Sequence, residues 1–263
     1  MKMDVRRESM IAELTLHRLD ASGIRKIRDQ VALDEGLELH INGIRYRRLT
    51  ASPTMRRELV YGHLYTHGIA HPGDIEEIII KPPKVYVRLR REIDVADIQD
   101  LEAQLLSEAE GVKPVERLRE LRVDVDIKVE AERLMRLMEE MERRGVTFRK
   151  TGGVHGALLA SPQGEIAAYV EDVSRHSAVD KAVGSMLLRN LRPWSFMLFS
   201  TGRQSASMVL KAARCGVPLI ASRAAPISSG VKVAEVTGIT LICFLREGRM
   251  NIYTHPERVL TRG

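Results

Sequence analysis

The chain after Phe148 consists of short apolar runs that alternate with stretches of small, polar and helix-forming residues. Runs of this length, bounded by glycine and other turn residues, are typical of buried strands. Helical stretches separate the later runs, and this alternation indicates a mostly parallel sheet flanked by helices. Ligands of such sheets bind in the loops beyond the carboxyl ends of the strands. The runs are ALLAS, EIAAYV, FMLFS, VPLIAS, ITLICF and NIYT.

The preceding part of the chain predicts a smaller α+β unit. Apolar residues between positions 9 and 30 recur with helical spacing and predict two short helices. Asn42-Gly43 lies between two alternating runs and predicts a β-hairpin. A helix is expected from Met55 to His67, and the Pro82-Pro83 pair separates two further strands.

Two more segments precede the α/β part. Residues 92–122 are dense in Glu, Leu and Arg, and together with the alternating run RVDVDIKV they predict helix, loop and strand. An amphipathic helix ending at Gly145 is predicted next, because four apolar residues recur on one helix face. These four are Leu134, Leu137, Met138 and Met141. We therefore divide the chain into an amino-terminal α+β part, residues 1–145, and an α/β part, residues 146–263.

A polar cluster directly follows the EIAAYV run, in the segment EDVSRHSAVDK. A helix that starts near Ser174 would place Arg175 and His176 in its first turn, where free backbone N–H groups bind anions. Glu171 and Asp172 lie just before that turn. The cluster is a candidate phosphate- or pterin-facing corner. The alternative is an ordinary solvated helix start with its capping residues.

Other strand ends also carry small polar residues or arginines. STGRQS follows the FMLFS run and opens a helix, SRAAPIS repeats this placement after VPLIAS, and FLREGR follows ITLIC. TGGVH places two glycines before a strand, where a ligand can approach the backbone closely. Alternatively, His155 in that motif is a structural residue held by hydrogen bonds. The recurrence of these motifs at corresponding places favours a shared pocket for an anionic ligand.

The charge and the cysteine content limit the classes of ligand and partner that the chain is expected to bind. The chain has 41 Lys and Arg against 35 Asp and Glu, a formal charge of +6, which favours anionic partners. Aromatic residues are only 4% and charges of both signs are interspersed, which disfavours nucleic acid.

Cys215 and Cys243 lie in apolar surroundings and are interpreted as core residues, so neither a disulfide framework nor a metal site is expected. A cytoplasmic protein is predicted, because the sequence has no long apolar run and no apolar leader.

Four ordered motifs resemble the FdhD family of formate dehydrogenase accessory proteins. They are FRKTGGVHGALL, EDVSRHSAVDKAVG, STGRQSASMVLKAARCGVPLIASRAAPIS and ITLICFLREGRMNIYTHPERVL. The resemblance covers residues 147–260, and a looser likeness extends upstream through LELHINGI and MRRELVYGHLYTHGI. It implies a cytidine-deaminase-like α/β fold, a mixed sheet flanked by helices, with a smaller amino-terminal α+β part.

The resemblance also implies a function. FdhD proteins supply sulfur to the molybdenum bis-molybdopterin guanine dinucleotide of formate dehydrogenase. The expected partners are therefore a molybdenum or tungsten formate dehydrogenase as client and a cysteine desulfurase as sulfur donor, with a homodimer as the expected assembly. GDP is expected to mimic half of the cofactor.

The residues expected to bind this cofactor follow from motif position. The family's cofactor-binding stretch corresponds to Phe244, Leu245, Arg246, Glu247, Gly248 and Arg249. The other motifs are expected to complete the pocket through Thr151, Gly152, Gly153, His155, Glu171, Asp172, Arg175, His176, Ser200, Thr201, Gly202, Arg203 and Ser222.

The chain departs from the family at the sulfur-transfer site. Family members that move sulfur carry a Cys-x-x-Cys pair upstream of the TGG motif, where this chain reads LLSEAEGVKPVERL. A persulfide carrier needs an accessible thiolate, which neither Cys215 nor Cys243 is expected to provide, so no catalytic residue is assigned. Ser174 and Ser177 are milder departures, since they stand where the family commonly has glycine and asparagine.

Three alternatives remain open from the sequence. One is a cofactor-binding chaperone without sulfur transfer. Another is an unrelated nucleotide-handling enzyme on the same fold, with acid and base roles for His155, Glu171, Asp172 or His176. The last is RNA binding through the basic surface.

Overall fold

A computed structural model describes residues 10–261, and these begin with a long two-stranded hairpin. Its strands, β1 (Ile11–Asp20) and β2 (Gly23–Ala32), pair antiparallel along their whole length. Residues 1–9, which hold most of the segment inspected for an apolar leader, and residues 262–263 lie outside the described part.

The two helices predicted between residues 9 and 30 are wrong where the chain is described, since this segment forms β1 and β2. The segment LTLHRL alternates with a period of two, so Leu14 and Leu16 share one face of the ribbon. The turn is fixed by Asp20, whose carboxylate accepts hydrogen bonds from the amide and hydroxyl of Ser22. This local turn chemistry outweighs the helical spacing of the more distant apolar residues.

The hairpin predicted around Asn42-Gly43 is confirmed and belongs to a four-stranded sheet. Asn42 and Gly43 both have positive φ, 47° and 84°, as a two-residue hairpin turn requires. The elements of this layer are β3 (Glu35–Ile41), β4 (Ile44–Ala51), α1 (Arg56–Thr66), β5 (Ile75–Lys81) and β6 (Lys84–Leu89). The strand order is β4-β3-β6-β5, in which only β3 and β6 are parallel. The helix predicted from Met55 to His67 is confirmed as α1, and the Pro82-Pro83 pair separates β5 from β6 as predicted.

The middle of the chain is mostly helical. Its elements are α2 (Val95–Glu110), α3 (Glu116–Glu120), β7 (Val129–Glu130), α4 (Ala131–Arg144) and α5 (Val146–Thr151). The amphipathic helix is confirmed as α4, which buries all four of its predicted apolar residues and ends at Gly145.

The strand predicted from RVDVDIKV is wrong except at its last residue, Val129. The backbone of residues 121–128 is irregular, and the amide of Val123 donates to the carbonyl of Thr237 at 2.7 Å. Among the described residues this segment pairs with no strand, and its alternation reflects only which side chains face the core. The short β7 pairs with β14 (Val259–Leu260).

The six apolar runs after Phe148 are confirmed as six strands of one sheet. These are β8 (His155–Ala160), β9 (Ile166–Asp172), β10 (Met197–Ser200), β11 (Leu219–Ser222), β12 (Thr240–Arg246) and β13 (Arg249–Ile252). Their order is β13-β12-β11-β10-β8-β9. Only β10–β11 and β11–β12 are parallel, so the expected mostly parallel sheet is in fact mixed. Tight turns join β8 to β9 and β12 to β13, and such turns allow only antiparallel pairing.

Helices cover both faces of this sheet. One face carries α6 (Arg175–Leu187), α7 (Ala206–Arg214) and α8 (Ser228–Thr237). The other face packs against α4. The α/β class with a mixed sheet flanked by helices is therefore confirmed. None of the helices in the described chain is long and apolar enough to cross a membrane.

The amino-terminal layer joins the larger sheet through a close crossing of α1 and α6. A Cβ atom added at Gly62 would lie 1.7 Å from the carbonyl oxygen of Asp180, and one at Gly184 would lie 1.9 Å from that of Glu58. The two backbones can approach this closely only because both helices carry glycine at the crossing.

Candidate functional site

A cavity of about 720 Å³ opens beyond the carboxyl ends of the central strands of the six-stranded sheet. One wall is the turn from α4 to α5, with Met141, Glu142, Phe148 and Arg149. The opposite wall consists of strand-end residues, namely Thr201 after β10, Arg223 and Ala224 after β11, and Arg246 at the end of β12. The TGGVH segment closes the side between the two walls. This is the place where α/β sheets bind ligands, and its volume suits one small molecule.

The TGGVH segment is fixed by short-range hydrogen bonds. Thr151 donates its hydroxyl to the carbonyl of Thr147 at 2.9 Å and accepts from the amide of Gly153 at 3.1 Å. Gly152 has a φ of 64°, which allows the chain to turn from α5 into β8. Gly152 and Gly153 line the cavity with exposed backbone.

His155 and Thr201 meet at the floor of the cavity. The Thr201 hydroxyl accepts a hydrogen bond from the amide of Gly156 at 3.0 Å and lies 3.3 Å from Nδ1 of His155. Burial and the nearby Arg175 charge lower the pKa of His155. The ring is therefore neutral at physiological pH, and it donates a hydrogen bond from one nitrogen and accepts one at the other.

Glu171 lines the cavity, but its carboxylate is already engaged. It accepts hydrogen bonds from the amides of Thr147 and Phe148, each at 2.8 Å, at the start of α5. Six of the predicted site residues line the cavity, namely Gly152, Gly153, His155, Glu171, Thr201 and Arg246.

The predicted cofactor-binding stretch contributes one side chain to the cavity, that of Arg246. The backbone around it is irregular, because Phe244 and Glu247 have positive φ of 53° and 55° and a register shift separates Cys243 from Arg246. Arg246 Nε is buried and has no hydrogen-bond partner among the described residues. A buried guanidinium N–H without a partner is costly, and a bound anion would satisfy it.

The rest of that stretch lies outside the cavity. Leu245 is buried in the core beneath α4, whereas Phe244 is half-buried and its ring lies 5.9 Å from the Arg246 guanidinium. Glu247 and Gly248 form the exposed turn into β13, and Arg249 is exposed beyond it.

Asp172 and its neighbours lie behind the cavity. The Asp172 carboxylate is fully buried, pairs with Lys181 and accepts from the amide of Ser52 at 3.0 Å, so it joins the two parts of the chain. Burial raises the pKa of Asp172, and the Lys181 charge opposes that shift. Burial and the Lys211 charge lower the pKa of His176 to about 4.

Arg175 occupies the predicted first turn of α6, whose N-cap is Ser174 as expected. Its side chain packs so closely on Gly202 that a Cβ there would lie 2.8 Å from it, and its Nε is buried without a partner among the described residues. Ser200 and Ser222 fix the backbone of Gly202, since Ser200 Oγ accepts from its amide at 3.0 Å and Ser222 Oγ donates to its carbonyl at 2.8 Å. Arg203 points to solvent.

Sequence reasoning missed the α4–α5 wall and Arg223. The amphipathic pattern of α4 revealed only its core-facing residues, and Glu142 and Arg149 follow the polar pattern of a solvated face. Arg223 directly follows Ser222 in a motif already singled out, so its position was available as a signal. Tyr169 is a further missed wall residue, and burial followed by the Glu171 charge raises the pKa of its phenol.

Neither cysteine reaches the cavity. Cys215 and Cys243 are both buried. Burial raises the pKa of Cys215 above its ordinary value and that of Cys243 to about 12. The segment LLSEAEGVKPVERL forms the end of α2 and the start of α3, which pack against α8. None of the described cavity-lining residues comes from this segment.

The fold and the cavity define an α/β protein with an arginine-lined cavity at the strand ends. The chain belongs to the FdhD/NarQ family, whose sequence profile matches residues 32–260.

Individual relatives agree with this assignment. A protein from Thermoplasma acidophilum is 33% identical over 91% of this chain and 90% of its own length, and one from Methanothermobacter thermautotrophicus is 36% identical over 96% and 100%. Both bear the name sulfur carrier protein FdhD. A crystal structure from Desulfotalea psychrophila, described as a formate dehydrogenase accessory protein, is 26% identical and superposes with a TM-score of 0.78. That likeness covers 96% of this chain and 100% of the other.

Proposed function

We propose that this chain is an accessory protein for a molybdenum or tungsten formate dehydrogenase and that its strand-end cavity binds a guanine nucleotide half of molybdenum bis-molybdopterin guanine dinucleotide. Membership of the FdhD/NarQ family and the names of the relatives support the accessory role. When bound, the cofactor supplies the redox-active metal centre of the client enzyme.

The observation that carries the proposal is the side chain of Arg246. It lies within the stretch that corresponds to the family's cofactor-binding segment, it lines the cavity, and its buried Nε lacks a partner among the described residues. A guanidinium in this position matches a diphosphate in charge and in hydrogen-bond geometry.

The rest of the cavity fits a nucleotide. Phe148 is 55% exposed at the cavity wall and offers a flat apolar face for a base. The neutral His155 and the exposed backbone of Gly152 and Gly153 can hydrogen-bond to polar ligand atoms. The volume of about 720 Å³ suits one nucleotide half and leaves the remainder of so large a cofactor outside the cavity.

The sulfur step of the family is proposed to depend on another protein here. A persulfide carrier takes up sulfur when its exposed, readily ionised thiolate attacks the outer sulfur of a donor persulfide and displaces the donor thiolate, whereas Cys215 and Cys243 are buried with raised pKa values. In our proposal this chain holds the cofactor and a separate sulfur donor provides the thiol.

Calorimetric titration of GDP into wild type, Arg246→Ala and Arg249→Ala tests the nucleotide site. Arg249→Ala is the matched control, since it removes a guanidinium from the same stretch outside the cavity. We expect Arg246→Ala to weaken GDP binding about tenfold or more and Arg249→Ala to leave it unchanged. ADP should bind more weakly than GDP. Equal binding of GDP, ADP and inorganic pyrophosphate would reject guanine recognition, and equal losses in both variants would reject this cavity.

A further inference from the structure

Three arginines of the described chain line the strand-end cavity, and they differ in their hydrogen-bond and ion-pair partners. Arg149 donates to the backbone carbonyls of Glu142 and Arg143, at 3.3 and 2.7 Å, and so closes the carboxyl end of α4. Arg246 Nε has no partner among the described residues. Arg223 is paired through its guanidinium with the carboxylate of Glu142.

The Glu142–Arg223 ion pair connects the two walls of the cavity. Glu142 lies in the last turn of α4, and Arg223 follows β11 on the strand-end wall. The backbone of Arg223 is fixed, because its amide donates to the carbonyl of Ser200 at 3.1 Å. Only its side chain has to move for the guanidinium to change partner.

Both partners of this ion pair are accessible to solvent. The side chains of Arg223 and Glu142 are 44% and 37% exposed. An ion pair between partly exposed groups contributes little to stability, so the fold does not depend on it. A phosphate, which accepts two parallel hydrogen bonds from a guanidinium and carries more charge than a carboxylate, is a competitive partner for Arg223.

Glu142 is the carboxylate in the cavity that a phosphate would have to displace. The other one that lines it, Glu171, already accepts two amide hydrogen bonds at the start of α5 and forms no ion pair with a cavity arginine in the described chain. Glu142 also places a negative charge beside the proposed anion site, where it opposes an incoming phosphate.

We propose that Arg223 is a second phosphate-binding residue of the cavity and that Glu142 is its counter-ion, exchanged for the phosphate when a nucleoside diphosphate binds. This inference rests on the proposed nucleotide function and assigns Arg223 and Glu142 roles in that same site. Glu142 thereby lowers affinity for phosphorylated ligands without touching their base.

The test compares Kd values for GDP and for guanosine, which lacks phosphate, in wild type, Glu142→Gln, Arg223→Ala and the double variant. Glu139→Gln is the matched control, because it removes a carboxylate from the exposed face of the same helix outside the cavity. We expect Glu142→Gln to tighten GDP binding about two- to fivefold at low salt, with guanosine binding unchanged. Arg223→Ala should weaken GDP binding about tenfold.

The double variant distinguishes exchange of the Arg223 ion pair from direct repulsion between Glu142 and the phosphate. If Glu142 acts by holding Arg223, the gain from Glu142→Gln disappears in the Arg223→Ala background. Weaker GDP binding by Glu142→Gln would overturn the exchange, since it would mean that Glu142 positions Arg223 for the ligand. An unchanged Kd in both single variants, with wild type still binding GDP, would overturn this inference and leave the proposed function intact. Failure of wild type to bind GDP would overturn both.

Discussion

Gly62 lies where α1 crosses α6, and the close packing of these two helices depends on its lack of a side chain. Its neighbour across the helix crossing is a backbone atom, the Asp180 carbonyl oxygen, which would lie 1.7 Å from an added Cβ. Backbone in a packed helix cannot yield as a flexible side chain can. We expect Gly62→Ala to lower the free energy of unfolding by about 3 kcal/mol or more, measured by urea denaturation.

Gly73→Ala is the control for this substitution. A Cβ at Gly73 would meet no atom within 4 Å, so the same change of residue type adds no overlap there. The control is expected to change stability by less than about 1 kcal/mol. A similarly small effect of Gly62→Ala would show that α1 and α6 can separate without loss of the fold.

The two cysteines give a second prediction at the scale of single residues. Burial raises the pKa of both thiols, to about 12 for Cys243, so almost no thiolate is present at pH 8. We expect a colorimetric disulfide reagent to react with the folded protein only at the rate of unfolding. In denaturant, two equivalents should react at once. One rapidly reacting thiol in the folded protein would restore a sulfur-carrier role for this chain.

Individual site residues were predictable to different degrees. Arg246, His155 and Glu171 were predicted as site residues and do line the cavity, because the motifs that carry them border one edge of the sheet. Whether a residue at that edge faces the cavity or the interior depends on the local bulge and on helix packing. Asp172 is adjacent in sequence to the cavity residue Glu171, yet it points to Lys181 on the opposite side. The alternation along β9 places these two carboxylates on opposite faces of the sheet, but it does not show which face borders the cavity.

At the scale of elements, the interface of α1, α6 and α7 buries an unusual group of ionisable side chains. Lys211 Nζ donates to Asp180 at 2.6 Å, to Thr66 at 3.1 Å and to His67 at 3.0 Å, and His63 contacts the other Asp180 oxygen at 3.0 Å. His63, His67 and Asp180 are close enough for a metal site, but the Lys211 ammonium already supplies the positive charge.

This interface predicts a pH dependence of stability. Burial lowers the pKa of His63 and His67, so both stay neutral in the folded chain when the unfolded chain takes up protons below its ordinary histidine pKa of about 6.5. Stability is therefore lost as the pH falls from 7.5 to 5.5, by about 1 kcal/mol for each histidine. Burial by itself would raise the pKa of Asp180, but the Lys211 charge keeps it low, so its contribution is lost only in stronger acid.

Urea denaturation of wild type and His67→Gln at pH 7.5 and 5.5 measures this effect. Glutamine retains an oxygen that can accept from Lys211 but does not titrate, so the variant should lose less stability on acidification than wild type. An equal or larger loss in the variant would show that other groups control the acid sensitivity.

Local elements were predictable where turn residues or a single buried face specify them. Asn42-Gly43 predicted its hairpin, and the four apolar residues of α4 predicted that helix. The β1–β2 hairpin was missed because Leu19 and Ile24, at its tip, are exposed rather than part of a buried face, so their spacing carries no information about a core. The antiparallel pairing of β8 with β10 was also beyond sequence pattern, because no tight turn joins these two strands and buried strands look alike whatever their direction.

At the scale of the whole molecule, the division of the chain at residue 145 stays a prediction. The packing indicates that the part after residue 145 depends on contacts with the part before it. The amino-terminal side of that boundary includes α4, whose buried residues cover one face of the six-stranded sheet. It also includes α1, which packs against α6 on the opposite face, and Ser52, whose backbone carbonyl accepts from the buried Lys181 at 2.8 Å. Residues 146–263 alone would therefore expose apolar surface on one face and leave buried charges short of partners on the other.

We accordingly expect a fragment of residues 146–263 not to fold alone, and the intact chain to unfold in one cooperative transition. Near-ultraviolet circular dichroism, binding of a hydrophobic dye and urea denaturation distinguish the cases. The fragment should bind dye and show no cooperative transition, as a chain without fixed packing does. Addition of a separately produced fragment of residues 1–145 should abolish dye binding and restore the near-ultraviolet signal and the cooperative transition, because the missing surfaces return together. A cooperative transition of the isolated fragment would mean that the six-stranded sheet is an independent domain, and the strand-end cavity would then have lost only its α4 wall.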